Sequence, residues 1–242
     1  VYKRQHLHMY PELGEHEEKT ASFIQKKLTE LGIPFEKNVA GHGISAVIYG
    51  KNREHGAAIR ADIDALPLTE KTEVPFRSKH EGVMHACGHD CHTSMLLTAA
   101  HILNDMKSEL CGTVKLAFQP AEEIAAGAKS MIEQGAMDGV DGCFGIHVWA
   151  DVPSGKVSVE AGPRMGAVGQ FRIDVKGKGG HGAAPHQCVD AALVTASIVS
   201  NLQALVSREI SPMEPAVVTA GVIEAGTRWN VVAESGRIEG TT

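Results

Sequence analysis

The chain has 242 residues, 43% of them hydrophobic, enough to bury one substantial core and leave room for a smaller second domain. Its 23 basic and 29 acidic residues give a net charge of -6, and no run of Lys or Arg forms a stripe that could follow phosphates, which argues against nucleic acid as a partner. The longest uncharged stretch, residues 191–207, is broken by Thr195, Ser197, Ser200, Asn201 and Gln203, so it predicts a water-soluble helix and no membrane association.

In chain order, residues 11–32 carry Phe23, Ile24, Leu28 and Leu31 on one helical face and end at Gly32 and Pro34. Two short apolar runs, 44–49 and 57–63, read as buried strands, the second running into Asp62 and Asp64. Residues 92–106 repeat apolar positions at threes and fours, as a helix requires. A strand over 113–118, a helix over 125–134 and a strand over 142–148 follow. Strands alternating with helices imply an α/β fold, with a mixed, mostly parallel sheet covered by helices.

Gly162-Pro163 reads as a hinge, dividing the chain into 1–162 and 163–242. Beyond it come a strand over 167–175, a Gly-rich loop over 177–185, a helix near 190–207 and strands over 216–223 and 230–239, a βαββ pattern. The five cysteines are odd in number and scattered, and no charged and apolar leader opens the chain; cytoplasm is the expected compartment.

Chemistry concentrates in three places. Residues 84–92, Met-His-Ala-Cys-Gly-His-Asp-Cys-His, hold three His, two Cys and one Asp just before a helix. A thiolate and an imidazole two residues apart can turn toward one ion, with Gly88 letting the backbone bend between them. A structural zinc site would need a second paired set of Cys or His, which the chain lacks. Glu122-Glu123 follows Pro120 at a strand end, where one carboxylate could ligate an ion while the other handles a proton. His147 ends a third strand; by itself it reads more readily as a core histidine than as a ligand. In open α/β sheets, sites gather beyond the carboxyl ends of the strands, and Asp62/Asp64, Glu122/Glu123 and His147 all lie at such ends.

Taken in order, Pro11-Glu12-Leu13-Gly14, Arg60 through Pro67, Met84 through Asp90, Phe118 through Glu123 and Gly145 through Trp149 resemble the M20 metallopeptidases. The likeness is narrowest to the amidohydrolase branch that includes hippurate hydrolases, indole-acetyl-amino-acid hydrolases and N-acetyl-diaminopimelate deacetylases. It implies a zinc-peptidase-like catalytic domain with an inserted lid, and hydrolysis of N-acyl amino acids by water activated between two divalent ions, zinc or manganese with cobalt or nickel as alternatives. By the same resemblance Cys87, His89, Glu123 and His147 are metal ligands, Glu122 is the general base, and Asp64 orients a ligating imidazole, with Asp62 sharing that task less directly. His181, in Gly179-Gly180-His181-Gly182, would polarise the scissile carbonyl from a partner subunit, Asn230 would contact the substrate carboxylate, and the lid would form a homodimer.

The chain departs from the family at Cys91, where relatives carry Gly, and at residues 124–127, which replace a more Gly-rich stretch. The family also carries a further catalytic segment after the lid, with a final metal-ligating histidine, that this sequence does not include. Two rival expectations therefore stand: a noncatalytic or incomplete relative that retains metal binding, and a metal-independent hydrolase using Cys87 as nucleophile with a nearby histidine.

Overall fold

The structure, a computed structural model, describes residues 1–242, which divide into two compact units, Val1–Ser158 and Val159–Thr242. In the first unit the helices α1 (Tyr2–Met9) and α2 (Glu18–Glu30) precede the strands β1 (Phe35–Val39), β2 (Gly43–Ile48) and β3 (Gly56–Asp62). Then come α3 (His89–Asp105), β4 (Thr113–Gln119), α4 (Gly127–Glu133) and β5 (Gly142–Gly145).

These strands form one mixed sheet in the order β1-β2-β4-β3-β5. β3 lies parallel to both β4 and β5, as helical crossovers require, whereas β2 is antiparallel to β1 and to β4. Because β3, β4 and β5 are parallel, their carboxyl ends share one edge, with Asp62 opposite Gln119 and Arg60 opposite Gly145. β5 stops at Gly145, short of the strand expected to reach Val148, so His147 stands in the loop beyond it.

β4 shows how the sheet is covered on both faces. Leu116 and Phe118 pack with Ile24 and Leu28 of α2 and Leu96 and Leu97 of α3, while Ala117, on the opposite face, packs with Met131 and Ala136 around α4. The helix expected over 11–32 is α2 and begins only at Glu18, because Pro11–Glu17 is used otherwise: Leu13 bridges Ala65, and the Glu12 carboxylate accepts the Thr20 amide at 2.8 Å and the Thr20 hydroxyl at 2.9 Å. A distant side chain thus satisfies donors at the start of α2.

The second unit contains a three-stranded antiparallel sheet, β6 (Gln170–Lys176), β10 (Ser235–Thr241) and β8 (Thr219–Ala225), with α5 (Ala191–Ala204) packed on it. Asp190 caps α5 by accepting the amides of Ala192 at 2.9 Å and Leu193 at 3.3 Å. A short ladder joins β7 (Gly180–His181) to β9 (Val231–Val232). The single strand expected over 230–239 is therefore two, paired with different partners. No helix is long and apolar enough to cross a membrane.

α1 is held by buried polar contacts. His8 is 5% exposed, with Nδ1 2.8 Å from Asp90 Oδ2 and Nε2 3.1 Å from Glu70 Oε1. Both ring nitrogens face carboxylate acceptors, so the imidazolium is the form that satisfies them. The Asp90 hydrogen bond raises the His8 pKa against the opposing effect of burial, with Glu70 adding to the rise. A raised folded pKa makes this contribution complete below the unfolded value and lost as pH rises through the folded one. His8→Ala should therefore destabilise the chain by about 3 kcal/mol at pH 6, as loss of one partner of a buried pair does. In urea unfolding the gap between variant and parent should narrow by pH 9.

Candidate metal centre

The centre grows from a turn that only glycine makes easily. Gly88 has φ +85 and caps α3, and a β-carbon on it would lie 2.3 Å from Val148 Cγ2. α3 therefore starts at His89, whose ring is buried on its first turn. His89 Nδ1 donates to the Asp64 backbone oxygen at 2.9 Å and lies 3.2 Å from Asp64 Oδ1. With Nδ1 committed to Asp64, Nε2 is the nitrogen left to face an ion, which would take the place of its proton. It is buried and has no hydrogen-bond partner.

Glu122 and Glu123 reach the same point from β4. Past the end of that strand Ala121 adopts φ +51, and its amide donates to Glu17 Oε1 at 2.8 Å. The turn brings the Glu123 amide to Asp64 Oδ2 at 3.0 Å. Glu123 Oε1 then lies 3.7 Å, and Glu122 Oε2 3.9 Å, from His89 Nε2. Burial raises the Glu123 pKa, the nearby His89 opposes the rise, and the charges of Glu122 and Asp64 add to it. Its Oε1 is buried without a partner.

Cys87 and His147 complete the cluster, with Sγ and Nε2 3.3 Å apart. His147 Nδ1 donates to the Val148 carbonyl at 2.6 Å, which leaves Nε2 as the nitrogen that faces the Cys87 thiol. Burial, then the charges of Glu123, Glu122 and Asp62, push the Cys87 thiol up to about 12. The potential ligand atoms of Cys87, His89 and His147 lie within 4.8 Å of one another, as do those of His89, Glu122 and Glu123. A thiol, two imidazole lone pairs and two carboxylates converging, with His89 Nε2 and Glu123 Oε1 orphaned, fit a divalent cation: they supply the N, O and S donors such ions take, and leave negative charge uncompensated. All four expected ligands, together with Glu122 and Asp64, are thus gathered at one edge of the first unit.

Asp62, His89 and His92 make a third close group, but His92 has no free nitrogen. Its Nδ1 is 2.6 Å from Asp62 Oδ1, and its Nε2 accepts the Val148 amide at 2.9 Å. Against burial, the His92 hydrogen bond and the charges of His89 and Arg60 hold Asp62 down to about 2. His92 and Glu17 escape motif reasoning because their partners, Val148 and Ala121, are remote in sequence. The remaining two expected residues belong to the second unit. There His181 pairs with Val231 in register and its Nδ1 accepts the Ala183 amide at 3.1 Å, while the Asn230 carbonyl accepts the Gly182 amide at 3.0 Å and Asn230 Oδ1 is buried without a partner.

Residues 58–237 match the model of peptidase family M20/M25/M40. N-acetyl-L-cysteine deacetylase of Bacillus subtilis is 45% identical over 98% of this chain and 57% of its own length. N-acyl-L-amino acid amidohydrolase of Geobacillus stearothermophilus is 44% identical over 98% of this chain and 65% of its own. A crystal structure of a dinuclear metal-binding M20 peptidase from Bacillus subtilis superposes with a TM-score of 0.76 at 41% identity, covering 99% of this chain and 62% of that one. The chain thus spans roughly three fifths of the length of the relatives it matches.

The raised Cys87 thiol bears on the cysteine-nucleophile alternative, because the thiolate is the attacking species. In the metal-free chain at pH 7.5, iodoacetamide should label exposed Cys111 and Cys143 first and Cys87 last, read by peptide mass spectrometry. Rapid labelling of Cys87 would restore that alternative.

Proposed function

The chain belongs to the M20/M25/M40 peptidase family, and from that premise we propose that its protein hydrolyses the amide bond of N-acyl amino acids with two divalent metal ions. The observation that carries this is the pairing of an orphaned donor set, His89 Nε2 and Glu123 Oε1, with a second carboxylate, Glu122, beside it. The names of the Bacillus and Geobacillus relatives support the substrate class.

In this reading Cys87, His89, Glu123 and His147 would hold the ions. When bound, the ions supply Lewis acidity and lower the pKa of water. Asp64 fixes the His89 ring through Nδ1 and fixes the Glu123 backbone through its amide, so two ligands share one orienting group. Glu122 is the more exposed of the two glutamates, its side chain 39% accessible against 20% for Glu123, which suits a base facing substrate. Its carboxylate takes a proton from the attacking water and returns it to the leaving amine. His181 donates to the developing oxyanion and Asn230 binds the substrate carboxylate.

Zinc or manganese suits the mixed N, O and S donors, and unpaired cysteines support a reducing, cytoplasmic setting. Exposed Leu193 and Val194 on α5 support a homodimer through the second unit.

In the full-length protein, Glu122→Gln should lower kcat by about 10²–10⁴-fold, the usual weight of a general base, with metal content unchanged. A variant turning over at the parental rate would overturn the assignment. Chelation should abolish activity, and added zinc or manganese should return it. A second reading keeps metal binding at these residues without turnover. Elemental analysis beside an assay on hippurate and N-acetyl substrates separates the two.

A further inference from the structure

His147 poses a mechanical problem. β5 ends at Gly145, so no ladder hydrogen bond fixes the segment beyond it, and Ile146, Val148 and Trp149 are 46%, 38% and 55% exposed. Yet His147 Nε2 stands 3.3 Å from Cys87 Sγ. A solvent-facing loop would not hold a ring to such a position without an anchor.

We infer that His92 is that anchor, a positioning residue that holds His147 in place through the Val148 amide. The inference rests on the ligand reading of His147. Val148 N–H donates to His92 Nε2 at 2.9 Å, so that nitrogen carries no proton. Asp62 Oδ1 lies 2.6 Å from His92 Nδ1, so the proton is there. Only the Nδ1–H tautomer meets both demands. Asp62 is itself immobilised: Arg60 donates to its Oδ2 at 2.7 Å, and the Thr93 hydroxyl donates to its backbone oxygen at 2.9 Å.

The helix gives the arrangement its force. His89 and His92 are three residues apart on α3 and so share a face, with ring centroids 5.5 Å apart. One rigid element thus carries one candidate ligand directly and holds the other through a backbone amide. The His92 and His147 rings also meet edge to face at 4.6 Å, and Val148 Cγ2 fills the space that a side chain on Gly88 would need. The competing view is that His92 serves only to satisfy the buried Asp62 carboxylate.

Two variants divide these views, because they preserve opposite ends of the imidazole. His92→Asn keeps a donor where Nδ1 stands and removes the distal acceptor; His92→Gln keeps a distal acceptor and removes the donor to Asp62. The chain would be titrated with Co²⁺, following its absorption bands, with His147→Ala as reference. Loss of a group orienting a ligand typically weakens metal affinity by about 10–100-fold. His92→Asn should show that loss in the equivalent of Co²⁺ that His147→Ala weakens, and His92→Gln should recover most of it.

The reverse order, with Asn tight and Gln weak, would mean that His92 serves Asp62 alone and would overturn the inference. So would parental affinity in both variants while His147→Ala binds weakly. If His147→Ala binds Co²⁺ as the parent does, the ligand reading itself fails, which is a separate and recognisable result. In the metal-free chain, long-range ¹H–¹⁵N correlations should show His92 as the Nδ1–H tautomer; an Nε2–H signal would overturn the inference without reference to any metal.

Discussion

Asp64 has no exposed surface, and its two carboxylate oxygens serve different parts of the chain. Oδ1 faces His89 Nδ1, at the start of α3, and Oδ2 receives the Glu123 amide, beyond the end of β4. Two of the candidate ligands, His89 and Glu123, are thus referenced to one rigid group rather than to each other. Its surroundings are built to leave it room: a β-carbon on Gly14 would press to 3.3 Å from Oδ2 and 3.2 Å from the Ala121 α-carbon. The Pro11–Gly14 segment closes over this point, and that explains why a stretch next to a helix is kept irregular.

The acidic groups at the sheet edge divide by what already neutralises them. Asp62 is matched by Arg60 and His92, and Asp64 by His89 and a backbone amide. Those two are architectural, and the matching interactions hold Asp62 well below the usual carboxylate range. Glu122 and Glu123 have no cationic or backbone donor at their carboxylates; Glu123 meets only the neutral Cys87 thiol. The cost of leaving charge unmatched in a half-buried place appears in Glu123 and Cys87, both shifted toward their neutral forms. Compensation from outside the polypeptide is the simplest physical remedy, and the geometry of the lone pairs points the same way.

The sequence made some of this legible and concealed the rest for identifiable reasons. Apolar repeats located α2, α3, β2, β3 and β4, since each buries one face against its neighbours. The dense Cys87–His92 stretch and the acidic pair drew attention as local clusters. α1 and β1 were silent: Tyr2–Met9 is mostly polar and is anchored through His8, while Phe35–Val39 is an edge strand exposed over three central residues. The apolar run through Val148 predicts a strand longer than β5, because Ile146, Val148 and Trp149 have strand-like side chains yet leave the sheet. Above all, contacts such as Glu17 with Ala121, or His92 with Val148, join positions 104 and 56 residues apart, and no local pattern encodes them.

Gly88 meets two demands that are independent of each other. Its backbone occupies the left-handed region, and the space beside it belongs to Val148. A smaller residue at 148 would open the space but leave the backbone requirement untouched. In a screen for second-site suppressors, position 88 should therefore yield none at 148, whereas a purely steric clash elsewhere in the fold could be rescued by trimming its neighbour. The turn that begins α3 is in this sense an evolutionary dead end: substitutions around it can drift, but the residue itself has nowhere to go.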